Sequence, residues 1–326
     1  MKLISFFRRM GCAKKRIEPK ILNHINRNFN HQYTESVIKA VKQLPPPWKT
    51  SKKGRKGHDP KEVAAGCILK VGFNQTYDGI EAYLKESETF KSSFDDLPKH
   101  SVIHRGMKKL SIPYIRKVMN RVTRFLRRKG MNIAVDSTGF RTRNSSLWYD
   151  IRIRRKNTKR DCMKLHISMD VDTGIIHWFT MTPSKRHDSP EFKNLLKYLP
   201  DLGAVFGDKG YSSRNNCQLV ADKQGLPYLH FKDNATNKSK GKPAWVISIR
   251  AYKKNMEKWL DTYHARSIVE SVFSSIKRRW GSFLRSRRRW MQKKELSLKV
   301  LSYNIKQVLL VTYAKESKIP LWKSYK

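Results

Sequence analysis

Four chemically active side chains share one predicted helix near the end of the chain. Tyr263, Arg266, Glu270 and Lys277 stand at relative positions 0, 3, 7 and 14. At about 100° per residue, these positions fall within a stripe roughly 60° wide. The other side of the helix carries the apolar residues Ile268, Val269, Val272 and Ile276. Such a helix packs on a larger folded body and turns its carboxylate and basic groups outward, although an ordinary solvated charged face is an equally good interpretation of the helix by itself.

The overall charge narrows the class of function. The 326 residues include 70 Lys and Arg against 26 Asp and Glu, a formal net charge of +44. Basic side chains are spread from Lys2 to Lys326, and a surface of this kind repels itself unless it meets a polyanion, of which nucleic acid is the obvious one. Eight Trp and 39% hydrophobic residues exclude a disordered basic protein. The composition therefore predicts a folded protein that binds nucleic acid.

Cysteine usage and hydropathy predict a cytoplasmic, nucleoid-associated protein with no membrane partner. The four cysteines are far apart and form no C-x-x-C pair, which argues against a zinc site or a disulfide framework. No apolar segment approaches the length needed to span a bilayer. The apolar run at residues 3–7 is too short for a signal segment. No small-molecule substrate is expected.

The first two of four predicted parts of the chain are basic and helical. Residues 1–58 form a basic N-terminal segment that ends in a linker, and residues 59–129 form a helical region. Its helices begin near Asp59-Pro60, Thr76 and Lys99. Three short helices of this kind indicate a helix-turn-helix-like DNA-binding module, in which the third helix, carrying Arg105, contacts DNA bases. A plain helical bundle is the alternative.

The hydrophobic period changes after Met131, so the third part, residues 130–285, is predicted to be α/β. Strands are predicted at 132–136, 165–171, 175–182, 204–207 and 227–231, with helices at 189–199 and 213–223. Three successive strands followed by alternating helices and strands predict a mixed five-stranded sheet flanked by helices. We interpret the stretch from Phe231 to Met256 as a basic loop and residues 286–326 as a C-terminal basic helix.

Two acids directly follow predicted buried strands. Asp136 ends the run Ala134-Val135-Asp136, and Asp208 follows the strand at 204–207. An isolated Asp after a strand is usually a turn former or a helix cap, but Glu270 adds a third acid on a helix. Three carboxylates are hard oxygen ligands that suit Mg²⁺ or Mn²⁺. Two such ions can clamp the attacking and leaving oxygens of a phosphodiester displacement.

Other polar residues rank lower as candidates. Asp188 is the rival for the second acid, but it lies in a loop and is expected to cap the next helix. Asp170 and Asp172 are expected to be turn residues of a hairpin. His166 and His177 fall in strand patterns, where a single histidine is more often a core or surface residue than a metal ligand.

Together these motifs resemble the DDE transposases of prokaryotic insertion sequences. The resemblance rests on Asp136-Ser137-Thr138-Gly139, on Gly207-Asp208-Lys209-Gly210-Tyr211 and on Tyr263, Arg266, Glu270 and Lys277, which fit the signature Y-(2)-R-(3)-E-(6)-K. The segment His187-Asp188-Ser189 is also similar to one often found in this family. The resemblance implies an RNase H-like catalytic domain in which Asp136, Asp208 and Glu270 are catalytic and hold two Mg²⁺ or Mn²⁺ ions. It also implies that Tyr263, Arg266 and Lys277 bind and position the DNA end.

The resemblance implies a transposase that binds the terminal inverted repeats of its element, cleaves the 3′ ends and transfers them into target DNA. Its partners are then double-stranded DNA, as transposon ends and target, and a second copy of the chain in a synaptic complex. Two alternatives stay open: an RNase H-like nuclease or resolvase without strand transfer, and a domesticated DNA-binding protein without catalysis.

Two further expectations concern loops. The basic stretch Arg152–Arg160, preceded by Trp148 and Tyr149, is either a DNA-binding loop or a solvated one. By comparison with the family, the short interval between Asp208 and Glu270 leaves no room for the large β insertion of some relatives.

Overall fold

A computed structural model describes residues 14–50, 57–142, 152 and 162–325. The strands are β1 Lys14–Ile17, β2 Met131–Arg141, β3 Cys162–Asp170, β4 Ile176–Pro183, β5 Leu202–Gly207, β6 Leu226–Leu229 and β7 Trp322–Tyr325. Five of them form one sheet in the order β4-β3-β2-β5-β6, and β1 pairs with β7. β3 runs antiparallel to β2 and β4, whereas β5 runs parallel to β2 and β6. The sheet is therefore mixed.

Helices surround this sheet and form most of the N-terminal half of the described chain. They are α1 Pro19–Arg27, α2 Phe29–Lys42, α3 Pro60–Gly72, α4 Tyr77–Glu86, α5 Glu88–Lys91, α6 His100–Lys109, α7 Ile112–Thr123, α8 Glu191–Leu196, α9 Arg214–Ala221, α10 Pro243–Lys254, α11 Met256–Tyr263, α12 Ile268–Trp280 and α13 Arg289–Glu316. Short 3₁₀ turns lie at Arg124–Leu126, Lys209–Tyr211 and His264–Ser267. Helix starts follow the predicted chemistry: Asp59 accepts from the backbone N–H of Lys61 and Pro60 opens α3.

Alternation along β2 assigns its side chains to two hydrophobic cores. Ile133 and Val135 pack with α8, α9 and α10 on one face of the sheet. Ala134 packs with α7, α12 and α13 on the other face, and Phe206 of β5 joins it there. Successive side chains of a strand point to opposite faces. Asp136 comes two positions after Ala134, so it belongs to the same face, which α12 covers.

The last long helix, α13, lies at the centre of the helical layer. Most of its residues are buried, as expected for a helix that is enclosed on all sides. It also closes the exposed edge of the sheet beside β4: the Asn304 side chain accepts from the N–H of Ile176 at 3.0 Å and donates to its carbonyl at 2.7 Å. One hydrophobic core therefore joins the N-terminal helices, the sheet and the C-terminal helix. The division of the chain at residues 58, 129 and 285 stays a prediction.

The predicted fold class is confirmed in its architecture: a mixed five-stranded α/β sheet is flanked by helices and preceded by helical elements. Two local predictions are wrong. The interval 231–256, expected to be a loop, contains α10, because Trp245 and Ile249 are one turn apart and both are buried against neighbouring helices. β2 continues beyond Asp136 to Arg141, because β3 pairs with it throughout that extension.

Some predictions concern residues that the structure does not describe. Apart from Arg152, the basic stretch Arg152–Arg160 lies outside the described residues, as do Trp148, Tyr149 and residues 51–56 of the linker. Within the described part of the chain, no helix combines the length and apolar character needed to cross a bilayer.

Candidate active site

The two strand acids are neighbours at the point where β2 and β5 stop pairing. Val135 of β2 is in register with Gly207 of β5, and this is the last pair of their parallel ladder. Asp136 and Asp208 follow these residues directly. Asp208 then opens the 3₁₀ turn and accepts from the N–H of Lys209 at 2.7 Å. The register therefore places Asp136 and Asp208 at adjacent positions on the same edge of the sheet.

Glu270 joins the two acids from α12. The core face of this helix is buried through Ile268, Val269, Val272, Phe273, Ile276 and Trp280. The far end of the helix is fixed where the Trp280 indole N–H donates to the carbonyl of Gly72 at 2.9 Å. With that face packed, Glu270 points outward, and its side chain is 67% exposed.

The guanidinium of Arg266 lies between two of the acids. Its Nη1 donates to Asp136 Oδ2 at 2.8 Å, and its Nη2 donates to Glu270 Oε1 at 3.2 Å. A planar guanidinium can hold two carboxylates in this way because its N–H groups form a rigid fork. The structure thus places a cation among the acids that were predicted to bind metal.

Electrostatics explain why a cation is needed there. Burial raises the pKa of Asp136, the charges of Asp208 and Glu270 raise it further, and Arg266 opposes the rise. Burial by itself would lower the pKa of Arg266, but Tyr263 and the three acids outweigh burial and raise it. Acids this close repel one another when ionised. The positive charge of Arg266 favours the ionised form of Asp136.

An open cleft of about 580 Å³ adjoins Asp136 and Glu270. Ser137, Thr138 and Lys277 also line it. The Lys277 ammonium donates to the hydroxyl of Thr138 at 2.6 Å, and burial lowers the pKa of this lysine. Hydroxyls and cations beside carboxylates are the groups that contact a phosphodiester backbone. The predicted residues Asp136, Glu270 and Lys277 therefore share one surface.

Tyr263 is placed differently from the sequence-based expectation. The 3₁₀ turn His264–Ser267 separates it from α12, so the continuous helix predicted for residues 263–277 is wrong. A 3₁₀ turn advances about 120° per residue, and four such residues rotate Tyr263 by about 80° away from the stripe. Its ring stacks on Trp259 with centroids 5.3 Å apart, and the residue is 8% exposed. The guanidinium carbon of Arg266 lies 5.9 Å from its ring centre.

Asp188 lies in the same site, but it does not cap α8. Its Oδ1 accepts from the Lys164 ammonium at 2.7 Å, and its Oδ2 accepts from the Ser137 hydroxyl at 3.2 Å. The N-cap residue of α8 is Pro190, so the expected capping role is wrong. Lys164, a site residue that sequence reasoning missed, was recognisable as a lysine inside an otherwise buried strand.

The lower-ranked candidates lie in the core or at the β3–β4 hairpin. His166 and His177 are buried in the core. Asp170 organises the β3–β4 hairpin, since it accepts from the Thr173 hydroxyl at 2.7 Å and from the N–H of Asp172 at 3.2 Å.

Arg105 lies on the exposed side of α6, together with Lys108 and Lys109. The opposite side of α6 rests closely on α3, because a Cβ added at Gly106 would lie 2.3 Å from a methyl carbon of Val63. An exposed basic side on a firmly packed helix is compatible with DNA contact. Base contact by Arg105 stays a prediction.

The acids match a hard divalent cation by chemistry but are arranged around a guanidinium. Carboxylate oxygens are the ligands that Mg²⁺ and Mn²⁺ prefer. Within the described ranges, no three His, Cys, Asp or Glu side chains lie close enough together to hold a metal ion. Asp136 and Glu270 instead turn toward Arg266. The donor chemistry therefore suits such a cation, but in this structure two of the carboxylates pair with Arg266.

A search of curated proteins finds no match. Among solved structures, the chain is similar to one described as a cryo-EM structure of a piggyBac transposase synaptic complex with hairpin DNA, with 9% identity and a TM-score of 0.44. The similarity covers 95% of this chain and 80% of that chain, and it is too weak to support a conclusion about activity.

A family model gives a clear assignment. The model described as "Transposase DDE domain" matches residues 128–305, which is more than half of the chain. The matched range begins just before β2, includes Asp136, Asp208 and Glu270, and ends within α13. The protein therefore belongs to the transposase DDE domain family, and it is a DDE transposase.

Proposed function

We propose that this transposase binds the terminal inverted repeats of its own element, cleaves their 3′ ends and joins them to target DNA. Asp136, Asp208 and Glu270 are its catalytic acids. The proposal rests above all on the register of Val135 with Gly207, which brings two acids 72 residues apart to adjacent positions opposite a third.

The acids are proposed to hold two Mg²⁺ or Mn²⁺ ions. Bound there, the ions would activate a water or a 3′-hydroxyl and stabilise the leaving oxygen of a phosphodiester. Asp136 and Asp208 would bind from the sheet and Glu270 from α12. Arg266 is free to leave the acids once a cation replaces it, and its fork then suits a DNA phosphate.

Lys277 and the cleft hydroxyls are proposed to position the DNA end. Lys277 already lies beside Thr138 at the mouth of the cleft, where it can reach a phosphate next to the acids. Tyr263 is proposed to act through Arg266, because its buried ring lies next to the guanidinium of that arginine. Arg105 is proposed to contact bases of the terminal repeat from α6.

Double-stranded DNA is the proposed partner, both as transposon end and as target, and a homodimer is proposed in the synaptic complex. The formal net charge of +44 supplies the attraction to this polyanion. A location in the cytoplasm, on the nucleoid, follows from these partners.

A strand-transfer assay tests the proposal against a nuclease without strand transfer. Full-length protein is incubated with a labelled terminal-repeat fragment that keeps its flanking DNA, a supercoiled plasmid and Mg²⁺, with EDTA in a parallel reaction. We expect labelled plasmid in Mg²⁺ and none in EDTA. Hydrolysis of the end without joining would favour the nuclease, and binding without either reaction would favour a non-catalytic DNA-binding protein.

A further inference from the structure

A second cavity, of about 390 Å³, lies outside the catalytic cleft. Its walls come from α3, α4, α6, the segment after α12 and the start of α13. Six basic side chains line it: Lys70, Lys108, Arg285, Arg287, Arg288 and Lys299. Only one carboxylate, Glu295, faces them among the residues that line the cavity. The cavity is therefore strongly positive.

The single acid organises the cavity and neutralises only one of its six cations. Glu295 accepts from the backbone N–H groups of Arg285 and Ser286 at 3.0 and 2.9 Å. It also pairs with the Lys299 ammonium at 3.4 Å. These contacts use both oxygens of the carboxylate and hold the 285–288 segment against α13. The arginines of that segment keep their charge available to an anion.

Aromatic rings alternate with the cations. The Lys70 ammonium lies 4.4 Å from the centre of the Tyr77 ring, and the His104 ring meets Tyr77 edge-on at 5.2 Å. Trp290 is 42% exposed, with the Lys294 ammonium 4.8 Å from its ring centre. Exposed aromatic faces beside cations are what unpaired nucleotides bind, because the base stacks and the phosphate pairs with the charge.

The cavity lies a short distance from the catalytic cleft along the chain. Ser282 lines the cleft and Arg285 lines the cavity, and three residues span at most about 11 Å. The segment is held on β2, since Arg141 donates to the carbonyl of Ser282 at 3.0 Å and accepts from the N–H of Leu284 at 2.8 Å. A DNA strand that leaves the cleft can reach the cavity within a few nucleotides.

We infer that this cavity binds one unpaired nucleotide of the DNA strand close to the cleaved end. The base stacks on the exposed ring of Trp290, and its phosphate pairs with the arginines of the 285–288 segment. The volume is near the lower end of small-ligand pockets, about 300–1,000 Å³, which suits a nucleotide and excludes a duplex. This inference rests on the proposed function, because it requires a DNA end in the catalytic cleft.

Two DNA probes test the inference with full-length protein. One is a blunt duplex, and the other is the same duplex with a short unpaired 3′ tail that contains 2-aminopurine. We expect wild type to bind the tailed probe about tenfold more tightly and to quench its fluorescence, because stacking on an aromatic side chain is worth about that much per base. Trp290→Ala should abolish both effects and leave blunt-duplex affinity unchanged.

Tyr198→Ala provides the matched control, because Tyr198 is another exposed aromatic residue, 51% accessible, and lies outside the cavity. Two results would overturn the inference and leave the proposed function standing. One is equal affinity of wild type for the two probes, and the other is an equal loss of affinity for both probes in Trp290→Ala. Failure of wild type to bind either probe overturns both.

Discussion

The catalytic cleft and the basic cavity bring their residues together by different means. In the cleft, Asp136 and Asp208 are placed by hydrogen-bonded register between two strands. In the cavity, Tyr77, Arg285 and Trp290 come from helix ends and a connecting segment that Glu295 holds in place. The cleft has a rigid backbone under its acids, whereas the cavity depends on helix packing and one buried carboxylate.

This difference indicates that the cleft and the cavity have separate tasks. Acids in a +44 chain weaken attraction to DNA, so the proposed chemistry accounts for Asp136, Asp208 and Glu270 better than DNA binding does. Cations and aromatics serve affinity and can be spread over a larger surface. Changes in the cleft should therefore alter cleavage at constant DNA affinity, and changes in the helical region should alter affinity or stability.

Replacement of the second proposed catalytic acid should give the largest effect on DNA cleavage. Asp208→Ala should reduce cleavage about a thousandfold or more, because it removes a carboxylate proposed to hold the metal ions. Asp188→Ala should be milder, since Asp188 is already paired with Lys164. Asp261→Ala, an exposed acid on α11, controls for charge. Rapid cleavage by Asp208→Ala together with loss in Asp188→Ala would reverse the assignment.

The arginine between the acids should be the next most sensitive position. Arg266→Lys should slow cleavage about ten- to a hundredfold, because lysine keeps the charge but cannot bridge two groups as the guanidinium does. Lys277→Arg should cost only a few-fold, since an arginine can keep both the hydrogen bond to Thr138 and the contact with the Phe140 ring. Initial rates on a labelled end measure both. If Arg266→Lys and Lys277→Ala both cleave at the wild-type rate, this region is only a solvated face that carries one acid.

On the helical side, Arg105→Ala should lower the preference for terminal-repeat over random duplex about tenfold. Lys53→Ala, in the linker, should weaken binding to both duplexes alike. The comparison needs the full chain, because α13 completes the core of the N-terminal helices. Competition gel shifts measure the two affinities, and an unchanged preference in Arg105→Ala would remove α6 as the reading helix.

The smallest expected effect concerns stability of the helical region. Glu62 on α3 is 2% exposed, and burial together with Asp96, Asp59 and Asp95 raises its pKa to about 8. The folded state thus keeps a proton that the unfolded state releases above an ordinary pKa of 4.5, so the contribution of Glu62 to stability falls as pH rises from about 4.5 to about 8 and is fully lost above that. Glu62→Gln should be about 1–3 kcal/mol more stable than wild type at pH 9 and similar at pH 4. Denaturant unfolding at both pH values measures this, and a pH-independent difference would contradict it.

The cleft was largely predictable from sequence, and the cavity was not. An apolar run followed by an acid predicts both a strand and the place of Asp136 or Asp208, and helical spacing identified the packed face of α12. The bridge from Arg266 to Asp136 depends on a 3₁₀ turn that no spacing rule indicates. The cavity combines segments more than 200 residues apart that share no motif. Such contacts arise from packing, which local pattern does not encode.

The most direct test of the central claim measures binding and cleavage of one labelled terminal-repeat fragment in the same reaction. Wild type and Asp136→Asn are compared with Mg²⁺, and wild type is also tested in EDTA. We predict that Asp136→Asn binds the fragment at least as tightly as wild type, because one negative charge is removed, and leaves it uncut. Cleavage by Asp136→Asn at the wild-type rate, or undiminished cleavage by wild type in EDTA, would contradict the assignment of this cleft as the catalytic centre.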